Sequence, residues 1–268
     1  MRMLLAVLAL GLNLTACTSA ALDGDGGSAA AVEETASATT EPDAPSATPA
    51  PTETPAPTAT PEPPQSVSND RCGGSLEGCF RYDEMDEYVA AIVPMVTQYF
   101  TTAYEGLPEP EIVYIPNGRH ARTYCGVSNS QAYEYCTANQ TIYIGQDLIW
   151  AFYRQAGDAA PALALAHEWG HHLQSIIGVR YRSQTGAIAF ENQADCIAGA
   201  WALYADEQGW LETEDDIGDI ETLMRLIGSR ESSNRDHGTI EERTEAFELS
   251  FSGGIGACNA YFPNSPVG

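Results

Sequence analysis

Residues 18–66 lack the apolar side chains that a folded core requires, and this restricts where the chain can fold. The segment contains nine of the sixteen prolines and has only Leu22 and Val32 as larger apolar residues. Such a composition cannot bury enough apolar surface to offset the entropy lost on ordering. We therefore predict a disordered Pro/Thr/Ala-rich linker over 18–66 and a folded domain over 67–268. A ligand role for the proline pairs is the alternative to a plain tether.

The first seventeen residues have the pattern of an export signal. Arg2 provides a positive charge, and residues 4–14 form an almost unbroken apolar run that is too short to span a bilayer. The run ends in Leu-Thr-Ala-Cys, which resembles a bacterial lipobox. We predict that 1–17 is a lipoprotein signal peptide and that lipidated Cys17 anchors an exported domain to the bacterial cell membrane. An ordinary secretory signal with an incidental cysteine is the alternative.

The charge of the chain excludes some classes of partner. Thirty-seven acidic residues face twelve arginines and no lysine, giving a formal net charge of −25. Residues 67–268 hold 29 of the acids and 11 of the arginines, a net charge of −18. Nucleic acid is not an expected partner, because its binding depends on cationic side chains. Electrostatic adsorption to anionic lipids is disfavoured for the same reason, so a membrane contact would rely on the lipid at Cys17.

Six cysteines remain once Cys17 is set aside, and an even number in an exported chain indicates disulfides. Six cysteines permit 15 pairings. Proximity along the chain and elimination favour three pairs: Cys72 with Cys79, Cys125 with Cys136, and Cys196 with Cys258.

The spacing of apolar residues predicts few strands followed by many helices, which favours an α+β fold, mostly helical with a small sheet. We expect helices over 84–105, 147–155, 161–177, 189–208, 214–228 and 240–251. The expected strands are 111–115, 132–135 and 141–144.

The helix over 161–177 contains an H-E-x-x-H sequence at residues 167–171. A spacing of four residues places His167 and His171 on one face, one turn apart, where both can reach the same ion. Glu168 lies about 100° around the helix, beside the coordination position that a water would occupy. Residues 162–166 are apolar and mark the helix as buried, and buried imidazoles need partners such as a metal ion. A pair of surface histidines is the alternative.

A metal bound by two histidines of one helix needs a third ligand from elsewhere. Six residues after His171 the chain has isoleucine, so a third histidine at that spacing is absent. Glu191 and Asp195 lie one turn apart on the next predicted helix. Glu191 would bind the metal, and Asp195 would accept an N–H from a ligating histidine and so fix its tautomer. Glu212 and Asp216 have the same spacing, but their acidic, polar surroundings indicate a solvated helix start.

These motifs resemble the bacterial neutral zinc metallopeptidase family. The resemblance rests on HEWGHHLQ at 167–174 and ENQADCIAGAWA at 191–202, with shorter matches at 125–126, 135–136, 141–144, 237–239, 242–243 and 258. It implies a zincin-like fold with one Zn²⁺ held by His167, His171 and Glu191, and Glu168 as the general base. Trp169 and Asn192 depart from the usual residues of the family without removing a chemical group. Trp169 is expected to face away from the metal into packing.

The remaining candidates have less defined roles. His237 is our candidate donor to the oxyanion of the transition state, with a cap at the start of the last helix as the alternative. Arg243 is expected to pair with a carboxylate. His172 is expected near the metal ligands or at the surface, and His120 exposed in a loop. A soft-ligand role for Cys196 is less favoured than a disulfide.

The sequence thus favours a membrane-tethered zinc peptidase that acts on a peptide or protein substrate. A noncatalytic zincin-fold binding lipoprotein is one alternative, although it would have little use for Glu168 as a general base. Hydrolysis of cell-wall peptide amides is another, because the metal chemistry is the same. The strand over 141–144 is expected either to offer an edge to an extended peptide or to be an ordinary hairpin strand.

Overall fold

The computed structural model of the protein describes residues 72, 75–211, 214–228 and 235–268. The predicted signal peptide, the linker, Cys17 and Glu212 lie outside the described residues. The described helices are α1 (Met85–Ala103), α2 (Gln146–Ala156), α3 (Ala159–Ile177), α4 (Gln184–Glu207), α5 (Glu214–Ile227) and α6 (Ile240–Gly253). The strands are β1 (Glu111–Ile115), β2 (His120–Thr123), β3 (Gly126–Asn129), β4 (Tyr133–Cys136) and β5 (Thr141–Gly145). This confirms a mostly helical α+β fold with a small sheet.

The strands form two small sheets. In the first, β5 lies between β1, to which it is parallel, and β4, to which it is antiparallel. In the second, β2 and β3 form an antiparallel hairpin. The expectation that 141–144 offers a free edge is wrong, because β5 is hydrogen-bonded on both sides, and the edge strands of this sheet are β1 and β4. The hairpin was not predicted: exposed His120 begins β2 instead of lying in a loop.

Helix α3 runs through the centre of the core. Its apolar residues Leu163, Leu165 and Leu173 are almost completely buried. Trp169 is fully buried and stacks on Phe100 of α1 at a centroid distance of 4.8 Å. This confirms the expectation that Trp169 packs away from the candidate metal ligands. No helix among the described residues is both long enough and apolar enough to cross a membrane.

Two glycines fix the course of the chain between α3 and α4. Gly178 ends α3 in the left-handed conformation with φ 79° and donates its N–H back to the last turn. Gly170 faces α4 so closely that an added Cβ would lie 3.1 Å from the Cα of Ala194. Ser183 caps α4 by accepting from the N–H of Gly186, so this helix begins five residues before the predicted start. The close contact brings Glu191 and Asp195 beside the face of α3 that carries the histidines.

Three disulfides join the cysteine pairs predicted from the sequence. They connect Cys72 with Cys79, Cys125 with Cys136, and Cys196 with Cys258. The second joins the β2–β3 turn to β4, and the third joins α4 to a 3₁₀ turn at Ile255–Ala260.

A buried acidic cluster predicts that stability depends on pH. Burial raises the pKa of Asp158 to about 8, and the charges of Asp216, Glu77 and Asp219 add to this effect. In the unfolded chain this carboxyl has its ordinary pKa of 3.8, so between about pH 4 and pH 8 the folded state binds more protons than the unfolded state. We therefore expect the contribution of Asp158 to stability to fall as the pH rises through this window.

Thermal denaturation at constant zinc concentration tests this expectation. Asp158→Asn should reduce the loss of Tm between about pH 5 and pH 8, because the amide has no proton to release. Asp206→Asn, at an exposed position on α4, is the matched control and should leave the slope unchanged. An unchanged slope in Asp158→Asn would contradict the assignment.

Candidate metal centre

Three side chains from two helices converge at one point. The Nε2 atoms of His167 and His171 lie 3.4 and 3.5 Å from Oε2 of Glu191. One ligand atom from each residue lies within 4.8 Å of the others. The three side chains are only 12–14% exposed, so the group is largely shielded from solvent. The three residues predicted from the sequence to be metal ligands therefore lie together in the structure.

The donor set suits a divalent cation such as zinc. Oε2 of Glu191 is buried and has no hydrogen-bond partner among the described residues, although three imidazoles, including that of His237, lie close to it. Burial would raise the pKa of Glu191, but the nearby imidazoles of His171 and His167 outweigh burial and hold the pKa well below its usual value. An ionised carboxylate and two imidazole nitrogens, each within reach of a common point, are a known ligand set for catalytic zinc.

Asp195 orients the first histidine. Its Oδ1 lies 2.8 Å from Nδ1 of His167, which leaves Nε2 of the same ring directed at Glu191. Oδ1 of Asp195 also accepts from Arg243 at 2.7 Å, and both side chains of this pair are buried. Burial would raise the pKa of Asp195, but Arg243 and His167 outweigh it and lower the pKa. The contact with His167 is the one expected from the sequence, and Arg243 has the carboxylate partner that was predicted.

Gln174 orients the second histidine, and the sequence analysis gave it no role. Its Oε1 lies 2.9 Å from Nδ1 of His171, and its Nε2 donates to Oε1 of Gln193 at 3.0 Å. Gln193 in turn donates to the carbonyl oxygen of Cys258 at 3.2 Å. Both glutamines are fully buried. The spacing 171/174 on one helix face was the signal that could have identified Gln174.

Gln174→Leu is expected to weaken zinc binding by about 10–100-fold, the usual effect of removing a partner of a ligating histidine. The leucine removes the acceptor for Nδ1 of His171, so the ring loses its fixed tautomer and orientation. Gln174→Glu keeps the acceptor oxygen and should bind zinc more tightly than the leucine variant. Competition with a chromogenic chelator measures both affinities, and equal zinc affinity in Gln174→Leu and the native protein would contradict the role.

Glu168 lies close enough to the three converging ligands for their charges to act on it, but it is not one of the group. Its side chain is buried, with 7% of the residue exposed. Burial raises the pKa of Glu168, although the charges of His167 and His171 and a hydrogen bond from the main chain of Tyr135 act in the opposite direction. A carboxylate with a raised pKa beside a candidate metal site is suited to accept a proton near neutral pH.

His237 approaches the centre from the loop before α6. Its Nε2 lies 3.4 Å from Oε2 of Glu191, and its Nδ1 lies 2.9 Å from Oδ1 of Asp236. The side chain is 30% exposed, more than those of the two histidines on α3. The alternative that His237 caps α6 is wrong, because Thr239 is the N-cap and forms a capping box with Glu242.

Two other candidates lie elsewhere. His172 is completely buried, with its Nδ1 3.0 Å from the Tyr135 hydroxyl and its Nε2 2.6 Å from the carbonyl oxygen of Pro108. Its expected position at the surface is therefore wrong: it links α3 to β4 inside the core. Asp216 is buried on α5 among the charges that act on Asp158.

A comparison with protein families agrees with this geometry. The family model described as "Putative neutral zinc metallopeptidase" matches residues 63–261. The chain belongs to this family. The match confirms the resemblance seen in the sequence and covers all the helices and strands described above. Membership of a zinc metallopeptidase family suggests zinc as the metal, and the His167–His171–Glu191 group is a possible site for it.

Similar curated proteins occur in Escherichia coli and Mycobacterium tuberculosis. The uncharacterised protein YpfJ of Escherichia coli K12 is 34% identical over 170 residues, which cover 52% of this chain and 58% of YpfJ. The uncharacterised protein Rv2575 of Mycobacterium tuberculosis H37Rv is 29% identical over 163 residues, covering 49% of this chain and 56% of Rv2575. The chain thus matches a little over half the length of these relatives. No solved structure gives a significant match.

Proposed function

We propose that the protein is a zinc-dependent peptidase that hydrolyses peptide bonds by general-base activation of a water. The observation that carries this proposal is the convergence of His167, His171 and Glu191 on one point, with buried Glu168 beside it. A zinc ion bound by these three ligands would supply a Lewis acid that lowers the pKa of a bound water.

The side chains around the zinc ligands have separate tasks in this mechanism. Glu168 accepts the proton of the attacking water and passes it to the departing amine, and its raised pKa favours both transfers near neutral pH. Asp195 and Gln174 hold the rings of His167 and His171, each by an N–H donated from Nδ1. This frees the Nε2 atoms of both rings to bind the metal.

The open edge of β4 supports an extended peptide substrate. The N–H of Gly145 donates to the carbonyl of Ala132, so main-chain groups of alternate residues in β4 point towards β5. Those of Tyr133 and Tyr135 therefore point to the open edge, and Tyr135 reaches the carboxylate of Glu168. A peptide paired with this edge would place its carbonyl groups next to the general base.

His237 is the proposed donor to the oxyanion that forms during attack. Its Nε2 lies 3.4 Å from Oε2 of Glu191, and its Nδ1 lies 2.9 Å from Oδ1 of Asp236. In the imidazolium form both ring nitrogens donate, Nδ1 to Asp236 and Nε2 to the oxyanion. His237→Phe is expected to lower kcat by about 100-fold or more, with a smaller change in KM, because the hydrogen bond forms in the transition state. Unchanged zinc content by atomic absorption is the necessary control, and a kcat close to the native value would contradict the role.

We also propose that the enzyme is exported and held at the cell membrane by a lipid on Cys17. The support is the lipobox-like sequence and the three disulfides, which are typical of proteins in an oxidising compartment. Detergent partitioning of Cys17→Ser should shift the protein to the aqueous phase. A native protein that already partitions into the aqueous phase would contradict the anchor.

The function is tested with the full chain by zinc analysis and digestion of a peptide library. We expect one zinc per chain, cleavage of peptide bonds, and loss of both in Glu191→Ala. Zinc binding without cleavage of any peptide would favour a noncatalytic binding protein. Cleavage of isolated cell-wall peptides, with proteins left intact, would favour the cell-wall hydrolase. Normal zinc content in Glu191→Ala would exclude Glu191 as the third ligand.

A further inference from the structure

Two stretches of the folded domain contain arginines but no acidic residue. Residues 112–133 and 169–190 contain no Asp or Glu, although residues 67–268 hold 29 of them. The first stretch carries Arg119 and Arg122, and the second carries Arg180 and Arg182, so together they hold four of the domain's eleven arginines. The negative charge of the domain is therefore absent from both segments.

The first stretch forms the β2–β3 hairpin, which presents a basic and apolar face to solvent. Arg122 and Val127 are opposite each other in the register and so lie on the same face. Ala121 and Ser128, the next pair, turn inwards, with Ser128 buried and Ala121 packed on a small apolar cluster. Val127 is 69% exposed and Tyr124, in the turn, is 84% exposed. Arg119, just before β2, is also exposed.

The hairpin is fixed to the edge strand of the candidate active site. The Cys125–Cys136 disulfide joins its turn to β4, and Ser128 donates to Glu134 of the same strand. Glu134 and Cys136 lie on the face of β4 opposite to the one that carries Tyr135. A peptide paired with the edge of β4 would alternate its side chains between these two faces. Every second side chain would therefore point to the side on which the hairpin lies.

The second stretch reaches the centre through a stack of aromatic rings. Phe190 stacks on the imidazole of His171 at a centroid distance of 5.1 Å, and Tyr181 contacts Phe190 at 5.2 Å. Tyr181 lies between Arg180 and Arg182, and all three residues are exposed. The loop after α3 thus carries two arginines next to a tyrosine that is connected to His171 through Phe190.

The four arginines have no acidic partner in the described part of the chain; Arg154 has none there either, but its guanidinium lies over the Trp150 ring. Arg81, Arg225, Arg235 and Arg243 each form an ion pair with Asp or Glu. Within the ranges that the structure describes, no carboxylate lies at ion-pair distance from Arg119, Arg122, Arg180 or Arg182. Although the domain has an excess of acids, these arginines lie without acidic partners on two segments near the candidate metal centre. Their positive charges are therefore available to a bound ligand.

We propose that the enzyme prefers polypeptide substrates with acidic side chains on either side of the cleaved bond. The proposal rests on the peptidase function and adds the class of substrate: an extended Asp/Glu-containing segment that contacts the hairpin arginines at one end and Arg180 and Arg182 at the other. A short bound peptide interacts electrostatically mainly with the nearby arginines, because salt screens charges beyond about 10 Å. An anionic membrane would instead face the whole domain with its net charge of −18.

The test compares two quenched fluorogenic peptides that differ only in having Glu or Gln at the residues flanking the cleaved bond. The native enzyme should have a kcat/KM about three- to tenfold higher for the Glu peptide at low salt, a range typical of a few exposed charge pairs. The preference should decline in high salt. It should be lost in a variant with Arg119, Arg122, Arg180 and Arg182 all changed to Gln. Arg225→Gln, on α5 and paired with Glu221, is the matched control and should keep the preference.

Binding separates this proposal from the catalytic one. Glu168→Gln should bind the Glu peptide more tightly than the Gln peptide in fluorescence anisotropy, even though it cuts neither. Cleavage of both peptides at equal rates would overturn the substrate preference and leave the peptidase function intact. The substrate preference would also be overturned if the variant with all four arginines changed to Gln still preferred the Glu peptide. If that variant lost only its binding to phosphatidylglycerol vesicles, the arginines would serve contact with a membrane surface instead.

Discussion

Glu168→Gln is expected to lower kcat/KM for peptide hydrolysis by about 10²–10⁴-fold, the range attributed to general acid–base catalysis. The amide has nearly the same size as the carboxylate but cannot accept the proton of the attacking water. Because Glu168 is beside the three zinc ligands without being one of them, the zinc content should remain at one ion per chain. Steady-state kinetics together with atomic absorption on the same preparations test both statements.

The matched control is Glu248→Gln, which makes the same chemical change at an exposed position of α6. It should have native activity. Two results would contradict the assignment of Glu168. One is a variant that retains more than about a tenth of the native kcat/KM, a loss below the range for general acid–base catalysis. The other is a loss of zinc in Glu168→Gln, which would show that the carboxylate supports metal binding.

Asp195→Asn is expected to lower the free energy of unfolding by about 3–5 kcal/mol, the usual result of removing one partner from a buried ion pair. Arg243 is 4% exposed and donates to Asp195 at 2.7 Å, so the substitution leaves a guanidinium charge buried without its carboxylate. The same change alters the acceptor for Nδ1 of His167 and should weaken zinc binding by about 10–100-fold. Urea denaturation at saturating zinc and chelator competition measure the two effects separately.

Two further variants show whether the buried charge is the cause. Asp195→Asn combined with Arg243→Met should recover part of the lost stability, because no uncompensated charge remains, while zinc affinity stays low. Glu221→Gln breaks an exposed ion pair with Arg225 and should change stability by less than about 1 kcal/mol. If the double variant is no more stable than Asp195→Asn, the loss arises from packing or from His167 instead.

The chemistry of the site was largely readable from the sequence because helical spacing fixes it. Four-residue spacings within α3 and within α4 determine which side chains share a face, so His167 with His171, and Glu191 with Asp195, could be paired without knowledge of the fold. The contact between the two helices could not be read in this way. It depends on Gly170, whose missing side chain matters only because α4 lies against it.

The parts that the sequence did not reveal depend on contacts between distant segments. The place of β5 between β1 and β4 follows from strand pairing, which alternation along one strand does not determine. The hairpin of β2 and β3 lacks a strong apolar pattern because only one of its faces packs on the core. Nothing in its position on α3 distinguishes Gln174 from an ordinary helical residue. Its role follows from its hydrogen bonds to His171 and Gln193.

The disulfide between Cys196 and Cys258 has a consequence for when the enzyme becomes competent. The carbonyl of Cys258 accepts a hydrogen bond from Gln193, Gln193 accepts one from Gln174, and Oε1 of Gln174 is hydrogen-bonded to Nδ1 of His171. The series of hydrogen bonds that orients His171 therefore ends at Cys258. This residue lies 62 positions after Cys196 in the sequence and is joined to it by a disulfide, which forms only in oxidising surroundings. If the chain is exported as proposed, the disulfide and with it this support would be complete only after export, and proteins inside the cell would not meet the finished site.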